Sequence, residues 1–193
     1  MGEDHAQAKR VLRQELRAVR RTLPADEAAR RSAQACERLA RTGCFGTARH
    51  LVLYAPLDEE VDVTPVATAA LREAKALYYP RVGPDGLEFL RADPGMLRPG
   101  HHGVPEPWEG EALAPGLRDT LFVVPGLAFD LRGIRLGRGA GHYDRALSRH
   151  PAALRVGIAF EFQIVPRLPA DAWDVSMTAV VSDARLIGEA FVA

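Results

Sequence analysis

The residues best suited to chemistry are concentrated in one segment, residues 133–145, which reads GIRLGRGAGHYDR. Three of its glycines alternate with other residues, and such positions let a backbone approach a ligand closely and direct N–H groups at it. Two arginines add positive charge, and a helix predicted to begin at the last glycine favours an anion there. This pattern favours phosphate binding, although a flexible loop with solvated arginines remains an alternative. The residues concerned are Gly137, Gly139, Gly141, Arg135 and Arg138.

The glycine loop does not match the two common nucleotide motifs. Its spacing is GxGxG rather than GxGxxG, no buried strand is predicted to run straight into it, and no Gly-Lys-Ser/Thr is present. Asp144 follows the glycines, and a carboxylate beside bound phosphate is a ligand that Mg²⁺ prefers. Asp144 could instead be a helix-start residue that pairs with a nearby arginine.

A second basic cluster is predicted on the first helix, residues 6–21. Apolar residues recur there at helical spacing, and basic residues line another face at steps of three or four. That face is either a solvated surface or part of the anion site. The basic residues are Lys9, Arg13, Arg17 and Arg20 or Arg21.

The elements that must position these residues alternate between strands and helices. A second helix is predicted to start after Thr22-Leu23-Pro24, capped by Thr22 or Asp26, and to end near Gly43. Further helices are expected at 64–75 and 141–150, and strands at 50–54, 76–79, 87–90, 120–124 and 154–160, with short late strands at 179–181 and 186–187.

This alternation predicts an α/β fold: one three-layer α/β/α domain over residues 1–193, with a mostly parallel, doubly wound sheet. In such sheets ligands bind in the loops after the carboxyl ends of strands. The candidate loops are therefore 55–63, 125–144 and 160–178. The 55–63 loop includes an acidic run at 58–62.

The composition excludes several classes of protein. The 25 Lys and Arg residues balance 25 Asp and Glu residues, which disfavours a nucleic-acid binder. No apolar run approaches the roughly 18 residues of a membrane span, and the first residues do not resemble a secretory signal, so we expect a cytoplasmic protein without membrane partners. Neither Cys36 nor Cys44 has the spacing of a zinc site or disulfide framework, and Cys36 is predicted to pack in the core. The pair His101-His102 is predicted to be at the surface.

Six blocks in order resemble the 5-formyltetrahydrofolate cyclo-ligase family, also called methenyltetrahydrofolate synthetases. The first is Lys9 with Arg13, and the last reads GIAFE from Gly157 with Leu168-Pro169 and Asp174. The blocks between them are Leu53-Tyr54 with Glu60-Val61, Tyr79-Pro80-Arg81-Val82, Gly103-Val104-Pro105-Glu106-Pro107, and residues 124–145, which begin VPGLAFD. The similarity spans roughly residues 8–182.

This resemblance implies an ATP- and Mg²⁺-dependent enzyme that cyclises a reduced folate, and it is compatible with a monomer. In the implied reaction, 5-formyltetrahydrofolate and ATP give 5,10-methenyltetrahydrofolate, ADP and phosphate. Phosphorylation of the formyl oxygen makes it a leaving group, and N10 of the folate then attacks the formyl carbon. Such phosphoryl transfer requires positioning and charge neutralisation more than a protein nucleophile.

The resemblance also assigns residue roles. Lys9 and Arg138 would be catalytic through charge neutralisation, and Asp144 would bind Mg²⁺. ATP would be bound by Lys9, Arg13, Arg135, Leu136, Gly137, Arg138, Gly139, Ala140, Gly141, His142 and Tyr143. The folate would be bound by Arg13, Ala55, Glu60, Glu106, Trp108, Arg138, Gly139, Ala140, Gly141 and His142.

Three positions depart from the family pattern. Thr178 stands where a second Asp ligates the metal, which leaves Asp174 or water as alternatives for that ligand. Ala140 stands where some members carry Lys, and His142 where Tyr is usual. Two alternatives stay open. The departure at Thr178 supports a paralogue that binds folate or nucleotide without turnover, and fold alone does not exclude a sugar-phosphate isomerase-like enzyme on the same architecture.

Overall fold

A seven-stranded sheet forms the centre of the computed structural model, which describes residues 2–57 and 60–188. Asp58 and Glu59 of the predicted acidic loop lie outside the described residues. The strand order is β12-β11-β9-β6-β1-β2-β3, and the five central strands are parallel, with an antiparallel strand at each edge. Its strands are β1 His50–Val52, β2 Ala76–Gly83, β3 Gly86–Arg91, β6 Thr120–Val124, β9 Leu154–Ala159, β11 Ala179–Ser182 and β12 Leu186–Ile187. The predicted α/β class with a mostly parallel sheet is confirmed.

The central strands are buried on both faces, and their alternate side chains pack into different core clusters because they point to opposite sides of the sheet. In β6, Leu121 and Val123 pack into one core cluster, whereas Phe122 and Val124 pack into another. The first cluster holds residues of α2, α3 and α4, including Cys36, whose predicted packing role is confirmed. The helices are α1 Gly2–Arg21, α2 Ala25–Ala40, α3 Gly43–Thr47, α4 Thr64–Arg72 and α5 His142–Leu147.

The opposite face is covered by a smaller sheet as well as by a helix. This second sheet has the order β10-β7-β8 and packs with α5 against the central strands. Leu16 of α1 packs on its outer side, in a cluster with Leu127, Leu136 and Leu168. The strands outside the central sheet are β4 Leu97–Pro99, β5 Pro105–Pro107, β7 Ala128–Asp130, β8 Arg135–Leu136 and β10 Ile164–Val165.

Some predicted boundaries were wrong for local reasons. Strand β2 continues through Pro80 to Gly83, because it extends past the end of β1 there and pairs only with the edge strand β3. Helix α4 ends at Arg72 because Ala74 adopts a positive φ of 54° and Lys75 N–H bonds back to the Ala70 carbonyl.

The ends of α5 and α2 also differ from the prediction. Helix α5 ends at Leu147, close to Pro151, which disfavours helical backbone before it. The residue that caps α2 is Pro24, and neither Thr22 nor Asp26 supplies a side-chain cap. Among the described residues, no helix is long and apolar enough to cross a membrane.

Candidate active site

One cavity of about 850 Å³ lies at the carboxyl ends of the parallel strands, a size typical of sites for small molecules. All three candidate loops contribute to its wall, together with one face of α1. The lining residues that the sequence singled out are Lys9, Arg13, Ala55, Glu60, Glu106, Asp144 and every residue from Arg135 to Tyr143.

The glycine loop follows directly from a buried strand, β8, which the sequence analysis did not predict. Two of its glycines have a left-handed backbone that favours glycine, with φ of 117° at Gly139 and 65° at Gly141. The Arg13 Nε donates to the Gly137 carbonyl at 2.9 Å, so α1 is fastened to this loop. The helix that follows has only six residues, and we therefore attribute no anion-binding role to its dipole.

Arg135 is a buried residue that organises the start of α5. Its Nη2 lies 2.9 Å from Asp144 Oδ2, and its guanidinium lies 5.5 Å from the centre of the Tyr143 ring. The other Asp144 oxygen accepts from the Val175 N–H at 3.3 Å. Asp144 therefore has the arginine pairing that was one of its two interpretations, and its carboxylate still lines the cavity.

Glu60 and Arg138 meet across the cavity. Arg138 Nη2 lies 3.0 Å from Glu60 Oε1, and Glu60 Oε2 accepts from the Leu57 N–H at 3.2 Å. The Glu60 carboxylate is mostly buried, whereas half of the arginine side chain is exposed. Burial, followed by the negative charge of Glu60, raises the pKa of the neighbouring phenols of Tyr54 and Tyr143, so both remain neutral.

On the opposite wall, the structure separates the two residues that were expected on the folate side. Glu106 lines the cavity, where its carboxylate accepts from the N–H groups of Val82 and His101, each at 3.2 Å. Trp108 is not a lining residue: its side chain is 80% exposed, and its carbonyl accepts from Arg81. The assignment of Trp108 is corrected, and an aromatic residue that the sequence analysis missed, Trp173, lines the cavity instead.

The structure also locates two of the histidines that the sequence analysis considered, His101 and His142. His101 is exposed as predicted, but it lies at the cavity wall, and the side chain of its neighbour His102 is outside the described part. His142 lines the cavity with its Nδ1 3.3 Å from Arg145 Nη2.

Thr178 does not reach the cavity. Its hydroxyl accepts from the Arg155 N–H at 3.1 Å, where β11 begins beside β9, so the position that carries the second metal ligand in the family supplies none here. Within residues 2–57 and 60–188, no group of three His, Cys, Asp or Glu side chains could hold a metal ion. The single carboxylate of Asp144 fits only a Mg²⁺ ion whose other ligands are phosphate oxygens and water.

Lys9 is surrounded by carboxylates that the sequence analysis did not connect with it. Its Nζ lies 2.8 Å from Asp171 Oδ2 and 2.6 Å from Asp174 Oδ2. Burial would lower the pKa of Lys9, but its hydrogen bonds with the two carboxylates outweigh burial and raise that pKa. The ammonium is therefore fully charged at neutral pH. Asp174 belongs to the last block of the family resemblance, but nothing in the sequence linked it or Asp171 to Lys9.

Comparison with known proteins gives the family. The sequence model of the 5-formyltetrahydrofolate cyclo-ligase family matches residues 5–183. The chain is 30% identical to the 5-formyltetrahydrofolate cyclo-ligase of Escherichia coli K12, covering 89% of this chain and 98% of the relative. It is 29% identical to the mouse enzyme of the same name, covering 90% and 93%.

Solved structures agree with these relatives. A 5,10-methenyltetrahydrofolate synthetase from Aquifex aeolicus superposes with a TM-score of 0.82 and 37% identity, covering 93% of this chain and 92% of that one. The corresponding protein from Mycoplasma pneumoniae gives a TM-score of 0.74 at 26% identity, covering 91% and 98%. With its fold, its glycine loop and nearly its whole length matched, this chain belongs to the 5-formyltetrahydrofolate cyclo-ligase family of ligases.

Proposed function

We propose that this protein catalyses the ATP-dependent cyclisation of 5-formyltetrahydrofolate to 5,10-methenyltetrahydrofolate, with release of ADP and phosphate. The observation that carries the proposal is the contact of Arg138 with Glu60, at 3.0 Å, inside one cavity. This contact joins a candidate phosphate-binding loop to a candidate pterin-binding carboxylate, so both substrates could meet there. We expect the enzyme to act as a monomer on small molecules, with no nucleic-acid or membrane partner.

The phosphate end of the cavity combines backbone and positive charge. Lys9 and Arg13 approach it from α1, and Arg138 from the glycine loop. Residues 135–143 would together bind ATP, because the backbone of this glycine loop can come close to phosphate oxygens. Lys9 and Arg138 would act catalytically by neutralising the charge that develops during phosphoryl transfer.

The folate end is built around Glu60. A carboxylate can accept two parallel hydrogen bonds from the amino group and ring N–H of a pterin. Ala55 and Glu106 line the same cavity and would border the folate, as would Arg13, Arg138 and residues 139–142. The Glu106 carboxylate accepts from the Val82 N–H of β2, so we expect it to shape the cavity wall more than to supply charge to the folate.

The proposed chemistry balances without a covalent enzyme intermediate. The γ-phosphoryl group passes from ATP to the formyl oxygen, and ADP leaves. N10 then attacks the formyl carbon and loses its proton, and the C–O bond breaks as phosphate leaves with the former formyl oxygen. The protein's part is to hold the formyl oxygen and the phosphoryl group in line and to exclude water.

Magnesium fits this site as a companion of the nucleotide. Asp144 would hold the ion, which would supply charge neutralisation at the phosphates when bound. The ion pair with Arg135, at 2.9 Å, holds that carboxylate in place beside the glycine loop. Thr178 is not needed in this arrangement.

An absorbance assay tests the function. Purified protein is mixed with 5-formyltetrahydrofolate and Mg·ATP, and the near-ultraviolet band of the methenyl product is followed, with ATP omitted as the control. Arg138→Ala should raise KM for ATP at least tenfold. The matched variant Arg98→Ala, at an exposed arginine outside the cavity, should leave the rate unchanged.

The failures of this assay have separate meanings. No product band, with ATP still raising the melting temperature, would refute turnover and favour a paralogue that only binds its ligands. No band and no shift with ATP, but a shift with a phosphorylated sugar, would favour the isomerase alternative.

A further inference from the structure

The Lys9 ammonium is held by two carboxylates of one short turn, residues 171–174. The turn is closed by two hydrogen bonds: the Asp174 N–H donates to the Asp171 carbonyl at 3.1 Å, and the Asp171 N–H donates to the side-chain Oδ2 of Asp174 at 2.9 Å. Asp174 Oδ2 is therefore fixed from its own backbone and accepts from Lys9 Nζ at 2.6 Å. The three side chains are mostly buried, with 10%, 20% and 13% of Lys9, Asp171 and Asp174 exposed.

An unrestrained lysine side chain is a mobile point charge with four rotatable bonds, which makes it an imprecise ligand for a reacting phosphate. Here two of the three ammonium protons are directed to Asp171 and Asp174, and Lys9 still lines the cavity. One proton remains for a ligand. Asp171 and Asp174 line the cavity as well, but an anionic carboxylate repels a phosphate, so their part is to orient the donor.

We propose that Asp171 and Asp174 are positioning residues, which hold the Lys9 ammonium at the cavity wall so that its remaining proton donates to a phosphate group of ATP. The inference rests on the proposed function for the identity of that ligand. It extends the site to a turn more than 160 residues away from α1 in the sequence.

If the two carboxylates acted only through their charge, removing one of them would have the opposite effect on ATP binding. Lys9, Asp171 and Asp174 together carry a net negative charge, which repels phosphate, so removing a carboxylate would strengthen ATP binding. Under the positioning interpretation, removing a carboxylate releases the ammonium and weakens ATP use. The direction of the change therefore separates the two interpretations.

The experiment is a double-mutant cycle between Asp174→Asn and Lys9→Met, measured as kcat/KM for ATP and for the folate. Asp174→Asn should lower kcat/KM for ATP roughly 10- to 100-fold, the usual effect of losing an orienting partner, and leave KM for the folate within about twofold. Lys9→Met alone and the double variant should be equally impaired, because Asp174 acts through Lys9. Asp174→Glu should restore part of the activity, and Asp85→Asn, at an exposed turn outside the cavity, is the matched control.

Three results would overturn the proposal: a lower KM for ATP in Asp174→Asn, multiplicative effects of the two substitutions, or a KM for the folate raised well beyond twofold. Urea unfolding identifies any variant that fails to fold, and Asp171→Asn then replaces Asp174→Asn in the cycle. If the wild-type protein makes no methenyl product, the proposed function fails by itself. Calorimetry with Mg·ATP then tests the positioning: weaker binding by Asp174→Asn supports it, and unchanged binding refutes it.

Discussion

Replacing Asp130 by asparagine should destabilise the protein, because this fully buried carboxylate joins two segments beneath the glycine loop. Its Oδ1 accepts from the N–H groups of Arg132 and Ile134, at 2.9 and 3.0 Å, which closes the turn between β7 and β8. Its Oδ2 accepts from the Leu168 N–H at 3.0 Å and from the Arg132 guanidinium at 2.7 Å.

The size of the effect follows from which bonds asparagine can keep. The amide oxygen can still accept from Arg132 and Ile134, but the amide nitrogen is a donor and must face the Leu168 N–H. One buried unsatisfied donor costs about 1–3 kcal/mol. Because 40% of the Arg132 side chain is exposed, its lost ion pair adds at most about 1 kcal/mol. We therefore expect Asp130→Asn to lower the free energy of unfolding by about 1–4 kcal/mol at pH 7.

The pH dependence gives a second test of the same group. Burial would raise the pKa of Asp130, but hydrogen bonds from Leu168, Arg132 and Ile134 outweigh burial and hold it below its ordinary value of 3.8. The stabilisation is therefore complete above pH 3.8 and is lost as the pH falls through the lower pKa of the folded state. Since asparagine does not titrate, the difference between wild type and Asp130→Asn should shrink as the pH is lowered through this range.

Urea unfolding followed by circular dichroism at several pH values measures both quantities. The midpoint urea concentration should fall without a change in the slope m, and Asp85→Asn, at an exposed aspartate, should have no measurable effect. A difference that is below 1 kcal/mol at pH 7, or that grows on acidification, would refute the reasoning.

Three further predictions concern the cavity and the core. Glu60→Gln should raise KM for the folate at least tenfold and KM for ATP by less, because the neutral amide loses the charge-assisted bonds; steady-state kinetics with each substrate varied checks this, and the reverse order would contradict the assignment. In Trp108→Phe, the fluorescence of Trp173 should change when Mg·ATP or folate is added, whereas Trp173→Phe should give no response, because only Trp173 lines the cavity; a response confined to Trp108 would contradict this placement. Burial raises the pKa of Cys36 to about 12 and also raises that of Cys44, so neither thiol should react with iodoacetamide at pH 8 in the native protein, and rapid labelling of either would contradict their burial.

The sequence was sufficient to predict the parts of the fold that depend on local pattern. Alternating strands and helices predicted the parallel sheet, and the strand predicted at 120–124 is β6, whose five residues are all buried. Strands β7 and β8 were missed because each has only two or three residues. Their pairing depends on each other and on β10, which lies far along the chain.

In the candidate site, too, only the features formed by residues close together in the sequence could be predicted. The glycine loop could be found because its chemistry is contained in consecutive residues. The contact of Lys9 with Asp171 could not be predicted, since no periodicity links residues 162 positions apart. Trp108 and Trp173 are both mostly exposed, and only the three-dimensional arrangement distinguishes the one that lines the cavity.

Helix α1 explains why the site and the core can respond differently to substitution. Its Leu16 packs on the small sheet rather than in either cluster that flanks the central strands, so the main core does not depend on it. Its polar contacts instead join separate parts of the site: Lys9 reaches the 171–174 turn, and Arg13 reaches the Gly137 carbonyl. Because these contacts lie at the cavity wall, changes on this face of α1 should alter ligand affinity more than the free energy of unfolding. The same helix therefore brings Lys9 and Arg13 to the proposed phosphate end and contacts two of the loops that line the cavity.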